Sequence, residues 1–335
     1  MKLGKFVPIL LTIILTTSVY ISGTSCSKKK QPAAFTSAAT NASTSNVVQT
    51  SVAKTTAAKT STTTTPTGVT GAILRLKTIK YIDQQGIGTE AFKMLIPSDW
   101  QFEGGIQWVM DNPTMPARTQ FRVWNPQGSE EFRVFPNQAF FWTNNQFTMS
   151  LFPVGTKYFG NEVLAPLKPV EALQEIIVAR FLFNAQGLKI ITIQDITNLI
   201  SPAPSGTLSP LQTSTEAGKI RVEYVENGKT IEEEIYCLVE ATYIPMSDGT
   251  TNIMWGVNYI SSFRAEKGKL DANSKIFQAI SQSVTLNLKW FNTYVQVIEY
   301  LIKMQIQQIQ SMGQLGSIIA QTGSEIRQEN LDLYN

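Results

Sequence analysis

Carboxylates and thiols are the reactive side chains on which any catalysis by this chain would depend, because its 335 residues include no histidine. Without histidine, neither a Ser-His-Asp nor a Cys-His arrangement can form. The sequence after residue 70 also contains no Ser-x-x-Lys, no Gly-x-Gly-x-x-Gly and no P-loop. We therefore predict that the protein is not an enzyme and uses no metal or cofactor.

Three acidic residues lie close together in sequence around a tryptophan: Asp99, Glu103 and Asp111 flank or follow Trp100. A glycosidase needs two carboxylates at a defined separation in a cleft, so a carboxylate-dependent hydrolase of envelope glycans is one alternative. No spacing in the sequence makes these residues converge. We expect them to be solvated loop residues.

The two cysteines, Cys26 and Cys237, are too few for a disulfide framework or a thiolate zinc site. Cys237 lies on an alternating apolar run, and we predict that it is a buried packing residue. The acidic run before it, Glu232 to Glu234, alternates across the same strand. We expect at least one side of it to face water opposite Lys219 or Arg221.

Aromatic residues are concentrated between residues 100 and 159, which hold 14 of the 33 in the chain. Asparagines, glutamines and arginines lie among them, and aromatic faces beside amides suit a sugar- or peptide-binding surface. Phe140, Phe141 and Trp142 cannot all face inward from one strand, so one ring should reach a surface or a second interface. The alternative is that these rings form the core. The candidate ligand surface comprises Trp108, Trp124, Phe141, Trp142 and Arg122.

The N-terminus has the pattern of an export signal. Lys2 and Lys5 precede an uncharged, largely apolar run over residues 6–21, which is shorter than a membrane span of about 20 residues. Small residues then lead to Cys26, an arrangement that resembles the lipobox of bacterial lipoproteins, although Gly23 replaces the usual branched aliphatic residue. The resemblance implies cleavage before Cys26 and lipid attachment to it, palmitate included. The alternative is ordinary signal cleavage.

A basic cluster would reinforce such an anchor. Lys28, Lys29 and Lys30 follow Cys26 directly, and each lysine near an anionic surface contributes about 1 kcal/mol of attraction. One lipid chain and a polybasic patch anchor far better together than either does alone. We expect the membrane to be the partner of this segment, on the cell-envelope side.

Composition divides the rest of the chain. We interpret residues 1–25 as a signal peptide, 26–70 as a disordered stalk, 71–287 as a folded body and 288–335 as a helical tail. Ser, Thr and Ala make up 26 of the 40 residues from Gln31 to Thr70. Such a segment has too little apolar surface to fold. The first seventy residues carry seven lysines and no acid. The remainder is therefore slightly acidic, which argues against a nucleic-acid partner.

Alternating and helical patterns in the body predict an α+β fold, an antiparallel sheet packed with helices. The hairpin around Asn227-Gly228 is the clearest signal, since this pair suits a type I′ turn. We predict a loop over Ser201 to Gly218 and a helix N-cap at Asp271. The predicted strands are Ile73–Ile79, Ala91–Pro97, Phe121–Trp124, Glu131–Phe135, Leu188–Ile196, Lys219–Glu226, Lys229–Ile244 and Asn252–Phe263, and the predicted helix is Lys168–Phe183.

Two stretches of the body resemble the Mog1/PsbP/DcrB-like family. Residues 92–100, Phe-Lys-Met-Leu-Ile-Pro-Ser-Asp-Trp, match its early strand and Pro-x-x-Trp corner, and residues 276–283, Ile-Phe-Gln-Ala-Ile-Ser-Gln-Ser, match its closing helix. The resemblance covers residues 73–286 in total. It implies a small antiparallel sheet between helices, in proteins that usually bind or assemble without catalysis.

The tail has apolar residues at helical spacing from Phe291 through Val295, Ile298 and Ile302 to Ile326, which predicts a long helix or coiled coil. Two outcomes are open: the tail self-associates or docks on a partner, or it folds back on its own body. With the rest, this predicts a membrane-anchored envelope lipoprotein that acts as a non-catalytic binding or assembly module. A structural component that self-associates through residues 288–335 is the alternative.

Overall fold

The computed structural model of the protein describes residues 74–200, 212–305 and 307. The predicted signal peptide, Cys26, Lys28, Lys29, Lys30 and the predicted stalk lie outside the described residues, as does the tail after residue 307. The described part has an α+β fold, as predicted, in which β-strands outnumber helices.

The described residues form two sheets rather than the one that the sequence analysis predicts, and both are antiparallel except where β6 pairs with β8 in parallel. The small sheet has the order β1-β2-β13. The large sheet follows the path β3-β4-β5-β12-β11-β10-β9, with β6, β7 and β8 attached beside β12. The strands are β1 (Leu76–Ile82), β2 (Glu90–Pro97), β3 (Gln101–Trp108), β4 (Ala117–Trp124), β5 (Glu131–Val134), β6 (Gln138–Thr143), β7 (Lys157–Tyr158), β8 (Asn161–Val163), β9 (Gln186–Asp195), β10 (Gln212–Glu226), β11 (Lys229–Pro245), β12 (Thr251–Glu266) and β13 (Thr285–Leu286).

The described residues also form four helices and one short 3-10 helix, Thr197–Leu199. The first, α1, spans Gln146–Leu151 and has no buried residue. Residues 169–181 form α2, which is α-helical over Pro169–Ala172, π-helical over Leu173–Val178 and α-helical again over Ala179–Phe181. Then α3 spans Ser274–Ser283, and residues 288–305 form α4.

The predicted hairpin is confirmed. Asn227 (φ 50°) and Gly228 (φ 75°) both adopt positive φ, as a type I′ turn requires, and they join β10 to β11. The loop predicted over residues 201–218 is wrong from Gln212 onward, because this segment extends β10 and pairs with the end of β11. The rest of that loop lies outside the described residues.

One strand organises the large sheet. β12 pairs with β11 along its length, and on its other side it pairs first with β6 at residues 252–257 and then with β5 at residues 261–264. The change of neighbour falls at Tyr259, which has a positive φ of 52°. Its backbone N–H is bound by the side-chain oxygen of Asn137. This kink divides the sheet into two parts.

The two faces of the large sheet carry separate cores. On one face, α2 packs its buried Leu173, Ile176 and Ile177 over residues of β10, β11 and β12. On the other face, the small sheet, α3 and Trp290 of α4 pack against Phe121 and Phe132, along with the rest of the second cluster. The first residues of the tail, Trp290 among them, are therefore part of this core.

A buried carboxylate fastens α4 to the body. Asp83 is fully buried, and its oxygens accept hydrogen bonds from the indole N–H groups of Trp108 (3.1 Å) and Trp290 (2.8 Å). The backbone N–H groups of Gly86 and Ile87 also donate to it at 3.1 Å. This neutral-donor cage supports the second reading of the tail, that it folds back on the body, for residues 288–305.

The predicted N-cap at Asp271 is wrong. The cap position of α3 is Asn273, and Asp271 is instead paired with Arg221 at 2.8 Å. That hydrogen bond from Arg221 holds the pKa of Asp271 below its ordinary value. Across the described residues, no helix is both long and apolar enough to cross a membrane.

Candidate functional site

The candidate site lies on the half of the sheet face that α2 leaves uncovered. α2 covers β10, β11 and β12 and ends at Phe181, whose ring packs on Phe135 at 5.0 Å. Beyond that pair, the same face continues over β3, β4 and β5. A cleft of about 810 Å³ opens there, and we call it the arginine cleft after Arg118, Arg122 and Arg133 in its lining.

Strand alternation places these arginines in the cleft. On β4, Phe121 and Val123 are buried in the core of the opposite face. Arg118, Gln120 and Arg122 therefore project from the other side, because successive side chains of a strand point to opposite faces. The lining holds three arginines but a single carboxylate, Glu103. The cleft is consequently positive on a body that is slightly acidic.

Arg122 and Arg133 are direct neighbours across the β4–β5 ladder. Arg122 donates to one Glu103 oxygen from Nη2 at 2.7 Å and from Nε at 3.1 Å, while Arg133 Nη2 lies 2.7 Å from Glu131. Like charges directly opposite on a sheet repel. The two carboxylates thus offset a repulsion that the strand register imposes.

Arg118 lacks such compensation. No carboxylate of the described residues forms an ion pair with it, and its Nε is buried without a hydrogen-bond partner there. Its cross-strand neighbour is the neutral Gln107. A half-buried guanidinium with unused donors in a cleft is an anion-binding group.

Two glycines shape the edge of the cleft. A Cβ at Gly105 would lie 2.1 Å from the ring of Tyr81, and Gly104 has a φ of 111°. With hydrogen in these places, the Tyr81 hydroxyl accepts a hydrogen bond from the Ile106 N–H at 3.0 Å. This contact brings the end of β1, with Gln84 and Gln85 beyond it, to the rim.

The structure separates the residues of the predicted ligand surface. Arg122 lines the cleft, and its guanidinium lies over the half-buried Trp124 ring at 4.4 Å. Phe141 is a wrong assignment, because it is only 2% exposed and stacks on Tyr158 at 4.0 Å. Phe140 is also buried, stacked on Trp255 at 4.4 Å on the opposite face of β6. Phe141 and Phe140 are therefore buried on opposite faces of β6, each against a different aromatic ring.

The two remaining tryptophans do not line the cleft. Trp108 is half-buried, and its indole N–H is used by Asp83 while its ring meets Tyr294 of α4 edge-on. Trp142 is half-buried on β6. The structure does not bring Trp108, Trp142 and Arg122 together into one surface.

The acidic candidates are dispersed. Glu103 pairs with Arg122, Asp111 lies 4.0 Å from Lys157, and Asp99 is exposed at a turn. Glu234 pairs with Arg221 at 3.0 Å and Lys219 at 3.6 Å, as the sequence predicts. It is nevertheless buried, as is Glu233, whose carboxylate accepts a hydrogen bond from the Tyr224 hydroxyl.

Cys237 is buried in the core under α2, as predicted. Burial raises the pKa of its thiol to about 12, so the thiolate is scarcely populated at neutral pH. No group of His, Cys, Asp and Glu suited to a metal ion occurs within the residues that the structure describes.

Sequence reasoning counted Arg118 only among the arginines near the aromatic residues and left it out of the candidate surface, and it missed Arg133. The alternation of β4 contained the signal: Arg118, Gln120 and Arg122 occupy every second position, and the apolar Phe121 lies between the last two. The density of aromatic residues instead indicated rings that the fold buries or half-buries. The pairing of β4 with β5, which brings Arg133 beside Arg122, is not readable from local sequence.

No protein-family model matches the chain, and no curated protein matches it. Among solved structures, it is similar to the crystal structure of LpqN involved in cell envelope biogenesis of Mycobacterium tuberculosis. That similarity has 12% sequence identity and a TM-score of 0.23, and covers 63% of this chain and 91% of that one. At this TM-score the likeness determines neither the fold nor the function of this chain.

Proposed function

We propose that this protein is an exported envelope protein, lipid-anchored at Cys26, whose body is a non-catalytic binding module that holds its ligand in the arginine cleft. The observation that carries the proposal is the uncovered half of the sheet face. An exposed sheet face that carries three arginines around a cleft of about 810 Å³ is a surface kept open for a ligand.

Binding fits the cleft better than catalysis does. Glu103 is the single carboxylate among the lining residues, and Arg122 already holds it. Glycoside hydrolysis needs a second carboxyl group across the substrate. The lining instead offers guanidinium and amide groups, which orient a ligand by hydrogen bonds.

The anchoring part of the proposal rests on the sequence. The positive start, the apolar run over residues 6–21 and the small residues before Cys26 suit export and lipid attachment, with Lys28, Lys29 and Lys30 adding attraction to anionic headgroups. In cells fed an alkyne fatty acid, the full chain should become labelled and Cys26→Ala should not. Equal labelling of both chains would refute the anchor.

A cleft-filling variant tests the binding module. Gln120 is exposed in the middle of the cleft, so Gln120→Trp should block the site without disturbing the core. Gln186→Trp is the matched control, since Gln186 is exposed on β9 at the far end of the sheet path. Microcalorimetry of the full chain would use a neutral hexose oligomer, a uronate oligomer, a hexose phosphate oligomer and a short peptide.

We expect at least one of these compounds to bind the wild type and Gln186→Trp, and not Gln120→Trp. If every compound that binds does so equally well to Gln120→Trp, the cleft is not the binding site. If none binds the wild type, the proposal fails for these classes of ligand.

A second candidate function is assembly through α4. Its inward face buries Trp290 and Ile298, but Leu288 and Tyr300, each 62% exposed, and Met304 lie on the outside. Light scattering on the full chain would distinguish the two roles. A defined oligomer that Tyr300→Ser with Met304→Ser converts to a monomer favours assembly, whereas an unchanged mass favours a helix that only completes the core.

A further inference from the structure

The Arg122–Arg133 pair forms one anion-binding point of the cleft. Their Cα atoms face each other across an antiparallel ladder, a separation of about 5 Å. Each arginine uses Nε and Nη2 for its carboxylate, and Nη1 of each makes no hydrogen bond within the described residues. An anion between the two side chains would accept hydrogen bonds from these free N–H groups and reduce the repulsion between the two guanidinium groups.

Arg118 forms a second point. It lies four residues before Arg122 on the same face of β4, which is a distance of about 14 Å along the strand. Within the described chain it has no ion-pair partner, and its buried Nε is unsatisfied. One small anion cannot reach both points, so the ligand must be extended and carry at least two acidic groups.

Neutral hydrogen-bonding groups fill the space between these points. Gln120 lies between Arg118 and Arg122 on β4, Gln107 lies opposite Arg118, and Gln84 and Gln85 stand at the rim. An amide both donates and accepts, which suits hydroxyl groups. Phe135 and Phe181 offer ring faces at the end nearest α2, where an apolar face of a sugar ring can pack.

The floor of the cleft offers a peptide only part of a strand edge. A peptide binds a sheet chiefly by adding a strand at its edge through main-chain hydrogen bonds. Here the floor is a sheet face, in which β4 is paired with β3 along its length and with β5 over residues 121–124. Side-chain amides, guanidinium groups and rings remain for recognition.

We infer that the arginine cleft binds a linear anionic glycan, whose acidic groups contact Arg118 at one end and Arg122 with Arg133 at the other. This inference rests on the proposed function and names the ligand class of the same site. The acidic groups are carboxylates of uronic acids or phosphates between sugars, which share the charge and hydroxyl chemistry that the cleft matches.

Calorimetry on the full chain tests the assignment with four probes of equal length. These are tetragalacturonate, a phosphodiester-linked hexose tetramer, a neutral hexose tetramer and tetraglutamate. We expect one or both anionic glycans to bind at least about tenfold more tightly than the neutral tetramer and tetraglutamate, since bonds to charged groups are the stronger ones. The affinity should fall as salt rises, and the better anionic glycan identifies the source of the charge.

Variants then locate the contacts. Arg118→Gln should lower the affinity for the anionic glycan at least about tenfold. Arg118→Lys should lower it less, because the charge remains. Lys189→Gln removes one positive charge from the exposed surface of β9 and is the control. Its affinity for the anionic glycan should stay within about twofold of the wild-type value. Thermal unfolding of each variant verifies that the fold is retained.

Three results would overturn the inference: equal binding of the neutral tetramer, tighter binding of tetraglutamate, or unchanged affinity in a folded Arg118→Gln. If another compound binds and Gln120→Trp abolishes it while no anionic glycan binds, the ligand class is wrong and the proposed function stands. If Gln120→Trp leaves all binding unchanged, both are wrong.

Discussion

Two halves of one sheet face differ in what covers them. Under α2, the outward residues of β10, β11 and β12 are apolar, and Ile220, Val222 and Ile235 are completely buried there. On β3, β4 and β5, the outward residues are arginine, glutamine and glutamate, and a cleft lies above them. The two halves of one sheet face therefore differ in side-chain chemistry as well as in what covers them.

A buried ion network marks the border between the halves. Glu131 is 2% exposed and accepts hydrogen bonds from Arg133 at 2.8 Å and Arg264 at 2.8 Å. Arg264 also donates to Glu226 at 3.0 Å and to the Tyr224 hydroxyl at 3.2 Å. Arg133 and Arg264 are thus paired with carboxylates, whereas Arg118 has no carboxylate partner among the described residues.

Arg264→Met should have the largest effect on the comparison, because it leaves Glu131 buried with one partner fewer. Breaking such a buried pair destabilises by about 3–5 kcal/mol. Urea denaturation would measure the loss in the free energy of unfolding. Arg122→Met in the cleft is the matched control and should lose less than about 1 kcal/mol. Equal losses for the two variants would break the distinction between border and cleft.

Ile177→Ala tests the covered half. Ile177 is completely buried between α2 and the sheet, so truncation leaves a cavity and should cost about 2–5 kcal/mol. Gln120→Ala on the uncovered half should change the free energy of unfolding by less than about 0.5 kcal/mol. Similar values for both would mean that α2 contributes little to the stability of the sheet.

Glu240→Gln tests a carboxylate that has no basic partner among the described residues. Burial raises the pKa of Glu240, and the hydrogen bond from Asn258 at 2.7 Å opposes that shift. The folded state then binds the proton better than the unfolded state does, so this group's contribution to stability is complete below an unfolded pKa of about 4.3 and is lost as pH rises through the folded pKa.

A permanently neutral glutamine avoids that loss. Glu240→Gln should therefore stabilise the protein at pH 7, by no more than about 1.5 kcal/mol, and make no difference near pH 4. Denaturation curves at both pH values measure the effect. A gain of equal size at the two pH values would contradict the assignment to ionisation.

Glu103→Gln should have the smallest effect on stability. The Glu103 and Arg122 side chains are 63% and 44% exposed, and an ion pair this open contributes below about 1 kcal/mol. Thermal unfolding should shift by no more than a degree or two for this variant. A large shift would show that the cleft wall, like the border network, is needed for folding.

Much of the fold was predictable from local patterns. Alternation identified β2, β4, β5 and β9 to β12, and Asn227-Gly228 gave the hairpin, since these signals depend only on residues near in sequence. Two strands were missed for different reasons. β3 contains Gly104 and Gly105, which weaken a strand pattern, and β6 is held by β12, more than a hundred residues later in the chain. The family resemblance stays a prediction, although its two stretches do form β2 and α3.

The candidate site was less predictable for the same reason. Trp108 and Phe141 are large rings whose partners, Asp83 with Tyr294 and Tyr158, come from other elements, so their burial is decided by tertiary packing. Arg122 was identified, but the pairing that places Arg133 beside it is long-range. Cys237 was predicted correctly because the apolar alternation of its strand marks a core-facing position, whichever element covers it.

The contact between Asp83 and Trp290 has a consequence for how the protein folds. It joins residues 207 positions apart, and β2 likewise gains its second neighbour only from β13. A chain synthesised from its N-terminus must hold β1 and β2 with one open edge until residues 285–290 emerge, whereas the β10–β11 hairpin closes at once. The small sheet should therefore be the last part to acquire protection from hydrogen exchange, and a nascent chain that stalls before Trp290 should expose an adhesive strand edge.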